Sequence, residues 1–131
     1  MAENLAVARS PYLIGALAWA VPGAGHWFVG ERGRGIAIFA GIWTIFILGL
    51  ILGGVEIVSY QNSLPWFVAQ MCSGLPGLIG FLLQSPDAPA GFGRGIEFGQ
   101  VYTGVAGLLN VICILDAISR ALGSKHQDVE S

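Results

Sequence analysis

Charge is what this chain has least of: 11% of its 131 residues are charged and 54% are hydrophobic, against about 25% charged in soluble domains. So few charges cannot cover a soluble core of that apolar content, and lipid is the solvent that suits the surplus. The net charge of −2 comes with no basic run, which excludes the electrostatic footprint of a nucleic-acid partner. Cysteine is scarce too. Cys72 and Cys113 each sit in an apolar segment without a C-x-x-C partner and read as small hydrophobes. There is no His-x-x-x-His, no His/Cys cluster, no nucleophile elbow, no phosphate-binding loop and no pair of carboxylates at catalytic spacing. No metal, no cofactor and no enzymatic activity are therefore expected.

Long uncharged runs take the place of those motifs. Gly35 to Val55 is uncharged, about 31 Å as a helix, enough to cross a bilayer core. Leu64 to Gln84 is again uncharged, with Pro76 between Gly74 and Gly77 near its centre; a kinked span is expected there. Phe98 to Leu122 meets its first charge at Asp116 and forms a third span. The N-terminal segment opens at Ser10-Pro11, an N-cap and first-turn proline, and should stop at Pro22-Gly23. That stretch is too short to cross alone, so the first pass is short, kinked or continued beyond Pro22. Ala18-Trp19-Ala20 also fits a signal-peptide cleavage site, but Arg9 is offset by Glu3, which makes a poor charged end. The expected fold is an all-α integral membrane bundle of four helical segments. It occupies residues 10–122, between an N-terminal tail at 1–9 and a polar, frayed tail at 123–131.

Glycine numbers 20, without a G-X-Y period, and close helix packing accounts for it. Ala37, Gly41, Gly49 and Gly53 are spaced by multiples of four, and so are Ala69, Ser73 and Gly77, then Gly99, Thr103 and Gly107. Gly41, Gly49, Gly53, Gly77 and Gly107 are accordingly expected at helix contacts. Four passes would put Arg32, Arg34 and Arg94 on one side and Arg9, Arg120 and Lys125 on the other, a tie under the positive-inside rule. The linker from Glu56 to Ser63 has no Lys or Arg and is read as the outer loop, with both termini outward. Gly33-Arg34-Gly35-Ile36 recurs as Gly93-Arg94-Gly95-Ile96, ahead of a long span each time, a hint of duplication.

The most distinctive stretch is Pro22-Gly23-Ala24-Gly25-His26-Trp27-Phe28-Val29-Gly30, followed by Arg32 and Arg34. Its glycines permit a tight reversal at the membrane surface, with Pro22, Gly23, Gly25, His26, Trp27, Gly30 and Arg34 as an interfacial turn. Here the sequence resembles the two-transmembrane-helix domain family, in which a P-G-x-G-H/Q-x-x-x-G turn joins a short helix to a longer one. It is more similar still to a family of small, uncharacterised four-pass bacterial membrane proteins, a domain of unknown function. That family pairs this turn with a last helix like Tyr102-Thr103-Gly104-Val105-Ala106-Gly107-Leu108-Leu109-Asn110 and Ile114-Leu115-Asp116. The resemblance implies a fold and an address in the bacterial cytoplasmic membrane, not an activity.

Glu56, Gln70, Asn110 and Asp116 are the candidate intramembrane polar residues, since such groups are costly in spans and often functional. Asp116 and Arg120, four apart with the acid first, are expected to pair. Thr103 and Asn110, a heptad apart, share a helix face that Gln70 and Gln100 could join as a hydrogen-bond seam. The leading expectation is a non-enzymatic interaction or accessory subunit, with the lipid bilayer and a protein or a second copy as partners. A small oligomeric transporter using Asp116, Asn110, Gln70 and Glu56 is the alternative. A lipid-acting enzyme at the His26 turn is the third reading, and it lacks an evident nucleophile and partner base.

Overall fold

A computed structural model describes residues 10–61, 63–85, 87 and 93–130, with the side chains of Lys125 and Asp128 left aside. Six α-helices occupy the described residues: α1 (Pro11–Ala20), α2 (Ala24–Phe28), α3 (Arg32–Gly53), α4 (Leu64–Met71), α5 (Leu75–Leu83) and α6 (Arg94–Glu130). A 3-10 turn, Val55–Ile57, follows α3. Among the described residues, only α3 and residues Arg94–Ser124 of α6 are long and apolar enough to cross a membrane. The tail expected to fray continues instead as helix to Glu130.

α3 and α6 run antiparallel. Glu31, at the start of α3, meets Arg120 near the end of α6, while Gly49 and Gly53 near the end of α3 lie on Gly99 and Gly95 near the start of α6. The approach is backbone to backbone. A Cβ on Gly49 would stand 2.6 Å from the Thr103 methyl, and one on Gly99 would stand 2.7 Å from the Gly49 carbonyl. Of the expected packing glycines, Gly41 is the exception: it is exposed, and nothing lies within 4 Å of where its Cβ would be. A spacing of four drifts around a helix of 3.6 residues per turn, so the stripe that faces α6 at Gly49 and Gly53 has rotated off that face at Gly41.

The segment from Leu64 to Gln84 is not one kinked span. It breaks at Cys72-Ser73-Gly74 into two short helices that fold back on each other, bringing the Phe67 and Phe81 rings to 5.5 Å. The reason is local. The Pro76 ring would clash with the carbonyl four residues earlier, so no helix continues through it, but in the first turn of a new helix its missing N–H costs nothing. Gly74 takes φ +73° to make the reversal. The carbonyls at the end of α4 are then met by the Ser73 hydroxyl, which donates to Gln70 O at 2.6 Å, and by Asn110 Nδ2, which donates to Cys72 O at 3.0 Å.

α1 and α2 make a second, smaller hairpin. Val21 is extended ahead of Pro22, Gly23 has φ +87°, and the chain turns back after Ala20. α1 starts beside Ala117 and Ala121 of α6 and ends against the tip of the α4–α5 hairpin. There Trp19 Nε1 donates to Met71 O at 3.2 Å, and Gly74 packs on the Trp19 and Ala20 carbonyls. The two hairpins thus enter from opposite ends and meet tip to tip between α3 and α6. The Leu64–Gln84 segment is therefore a hairpin and not the expected kinked span, and Arg94 does not group with Arg32 and Arg34: it opens α6 at the end where α3 finishes. The hairpins also match in sequence. Pro11-Tyr12-Leu13-Ile14-Gly15 through Val21-Pro22-Gly23 aligns without gaps on Pro65-Trp66-Phe67-Val68-Ala69 through Leu75-Pro76-Gly77, ahead of the two Gly-Arg-Gly-Ile segments. Element order is repeated while packing is not, for both α1 and α4 lie against α6.

Candidate functional site

The residues of the Pro22–Gly30 turn assemble around α6. α2 comes close enough because Gly25 has no side chain; a Cβ there would stand 2.8 Å from that of Ala18 and 2.9 Å from that of Ala117. His26, 1% exposed, is thereby aimed at α6, and its Nε2 lies 2.8 Å from Asp116 Oδ2. The same carboxylate oxygen accepts Arg120 Nε at 2.9 Å. Arg120 Nη1 donates to Glu31 Oε1 at 2.5 Å, and Arg34 Nη1 donates to Glu31 Oε2 at 3.2 Å. One chain of polar contacts, His26, Asp116, Arg120, Glu31 and Arg34, therefore ties α2, α6 and the start of α3 together. Glu31 N also donates to His26 O at 2.9 Å, fixing the loop between α2 and α3.

Sequence reasoning left His26 without a partner; Asp116 is that partner, 90 positions away. The expected Asp116–Arg120 pair is present, and Glu31 was the residue missed. With Asp116 accepting, Nε2 carries the proton in the neutral imidazole. Nδ1 is buried and has no hydrogen-bond partner among the described residues. The geometry suits a clamp: a His-carboxylate contact that fixes an imidazole whose other face is closed.

Trp27 and Gly30 stand outside this clamp. Trp27 is 50% exposed, and Gly30 takes φ +97° in open space, a conformation that returns the chain toward α3.

Gln70, Thr103 and Asn110 form a second buried group. Gln70 Nε2 donates to Thr103 Oγ1 at 2.8 Å and to Ile57 O at 3.3 Å, and Thr103 Oγ1 donates to Gly99 O at 2.9 Å. This seam joins α4, the 3-10 turn and α6. Gln70 Oε1 and Asn110 Oδ1 are buried without a hydrogen-bond partner among the described residues. Gly77 packs on Gln70 O and Ser73 within the hairpin, Gly107 packs on the Ala69 backbone, and Glu56 stands exposed on the 3-10 turn. Asp116 and Glu56 thus do not gather with Gln70 and Asn110 around one cavity. No group of three or more His, Cys, Asp or Glu side chains placed to hold a metal occurs among the described residues.

Two long apolar antiparallel helices, two opposed helical hairpins and a buried histidine clamp define a class of small all-α protein. The chain belongs to the family of unknown function DUF6677, matched over residues 13–128, a stretch that contains every residue of the clamp. No curated protein and no solved structure matches it.

Proposed function

We propose that this is a multi-pass integral protein of a bacterial cytoplasmic membrane, acting as a non-enzymatic interaction or accessory subunit. One observation carries the reading: polar side chains are fully buried in the core while large apolar side chains cover the outside. Gln70, Ser73, Thr103 and Asn110 are fully buried, while Ile51, Leu82, Leu83, Ile112 and Leu115 are each more than 60% exposed. Water would oppose that arrangement and hydrocarbon favours it. α3 and α6 then cross the bilayer, and the two hairpins each enter from one face and return. Non-helical backbone at membrane depth is tolerated when it is buried in protein, and Pro22, Gly23, Ser73 and Gly74 at the hairpin tips are all buried.

This arrangement also breaks the charge tie. Among the described residues Arg32, Arg34, Arg120 and Lys125 fall at one end, and Arg94 falls at the other. The positive-inside rule makes the first end cytoplasmic. The transport reading is the weaker one, because the polar groups it needs are engaged in joining helices. Native-membrane crosslinking with mass spectrometry tests the proposal. A reproducible protein partner or self-association is expected, and a chain that alkaline carbonate strips from membranes overturns it.

A further inference from the structure

Between α2 and the first turns of α3 lies an open apolar groove of about 430 Å³, walled by Pro22, Trp27, Phe28, Ile36 and Phe39 among others. Arg32, Ile36 and Phe39 follow one face of α3, so the guanidinium stands one turn beyond the groove's end. From Arg32 to Phe39 is about 10 Å along the helix, within the roughly 15 Å of a single leaflet. Arg32 is also the cation that its surroundings leave over: in the clamp Asp116 and Glu31 balance Arg120 and Arg34, whereas Arg32 is exposed and has no ion pair among the described residues. Glu31 is turned to the arginines, and its side chain does not cap α3.

We infer that this groove holds an anionic phospholipid of the inner leaflet, one acyl chain against Trp27, Ile36 and Phe39 and the phosphate at Arg32. The inference rests on the membrane reading and on the cytoplasmic placement of Arg32, where anionic lipid is concentrated. Charge complementarity selects the occupant: the apolar wall accepts an acyl chain, and the exposed Arg32 one turn away accepts an anionic headgroup.

The test uses the full chain, purified in non-ionic detergent, and native mass spectrometry with phosphatidylglycerol and phosphatidylcholine of identical acyl chains. One phosphatidylglycerol is expected to be retained about fivefold more tightly, the factor one basic residue contributes beside an anionic headgroup. Arg32→Gln, an exposed change, should bring the two lipids level. Ile36→Trp, which fills the groove, should lower occupancy by both. Equal binding of the two lipids to the unaltered chain, a preference that survives Arg32→Gln, or a second copy crosslinked through Ile36 would overturn the site. Release of the chain by alkaline carbonate is a different failure, that of the membrane reading itself.

Discussion

His26 is the side chain with the most to lose. It is buried to 1% and hydrogen-bonded to Asp116, so His26→Ala removes a contact that the interior cannot replace. The hole left by the buried ring and the lost hydrogen bond should lower stability in detergent by about 1–3 kcal/mol, although Asp116 is 42% exposed and keeps its bond from Arg120. Arg120 is one-third exposed, where solvent screens its pairs, and Arg120→Gln should shift the thermal midpoint far less. Equal loss from the two variants would mean that the clamp draws its strength from the exposed arginine and not from the buried ring. The two contacts also differ in how far sequence reveals them. Asp116–Arg120 is visible because a helix repeats every 3.6 residues. His26–Asp116 depends on two separate hairpin turns, and its only local trace is that each residue is an ionisable group in apolar surroundings. Such groups need partners, and that shared need was the available clue.

At the scale of elements, helix character was legible in the uncharged apolar runs, but not in Ala24–Phe28, read as part of a turn, nor in the polar tail, read as frayed. Direction was not legible even in the apolar runs. Pro76 announces an interruption, but a kink and a full reversal carry the same residue, and Gly74 with its positive φ decides between them. Gly74→Ala would place a methyl group on the Trp19 carbonyl as well as strain the backbone. It should cost more than about 2 kcal/mol. Pro76→Ala alters a first-turn position that needs no N–H and should cost clearly less, as thermal unfolding of the two variants will tell. Glycine spacing has the same ambiguity, since Gly41 and Gly49 share one periodic stripe. Gly99→Leu must separate α3 from α6, with a loss of about 1–3 kcal/mol or more. Gly41→Leu projects into open space and should stay within about 0.5 kcal/mol. A loss at Gly41 comparable to that at Gly99 would place a second copy of the chain on that face.

For the whole molecule, the choice is between four straight passes and two crossings with two opposed hairpins, and the linker after α5 separates them. Straight passes put Asp87 and Gln61 on opposite sides of the membrane. When α4 and α5 fold back on each other, both residues lie at the end where α3 finishes and α6 begins, the outer face under the positive-inside rule. In a chain whose Cys72 and Cys113 are replaced by alanine, Gln61→Cys and Asp87→Cys, both at exposed positions, should therefore react alike. A membrane-impermeant maleimide should label each in right-side-out vesicles. Gly123→Cys, exposed near the far end of α6, should react only after the vesicles are opened. Labelling of Gln61→Cys without Asp87→Cys would restore the straight passes and return Arg94 to the side of Arg32 and Arg34. The charge tie would come back with it, and the cytoplasmic placement of the His26 clamp would lose its basis.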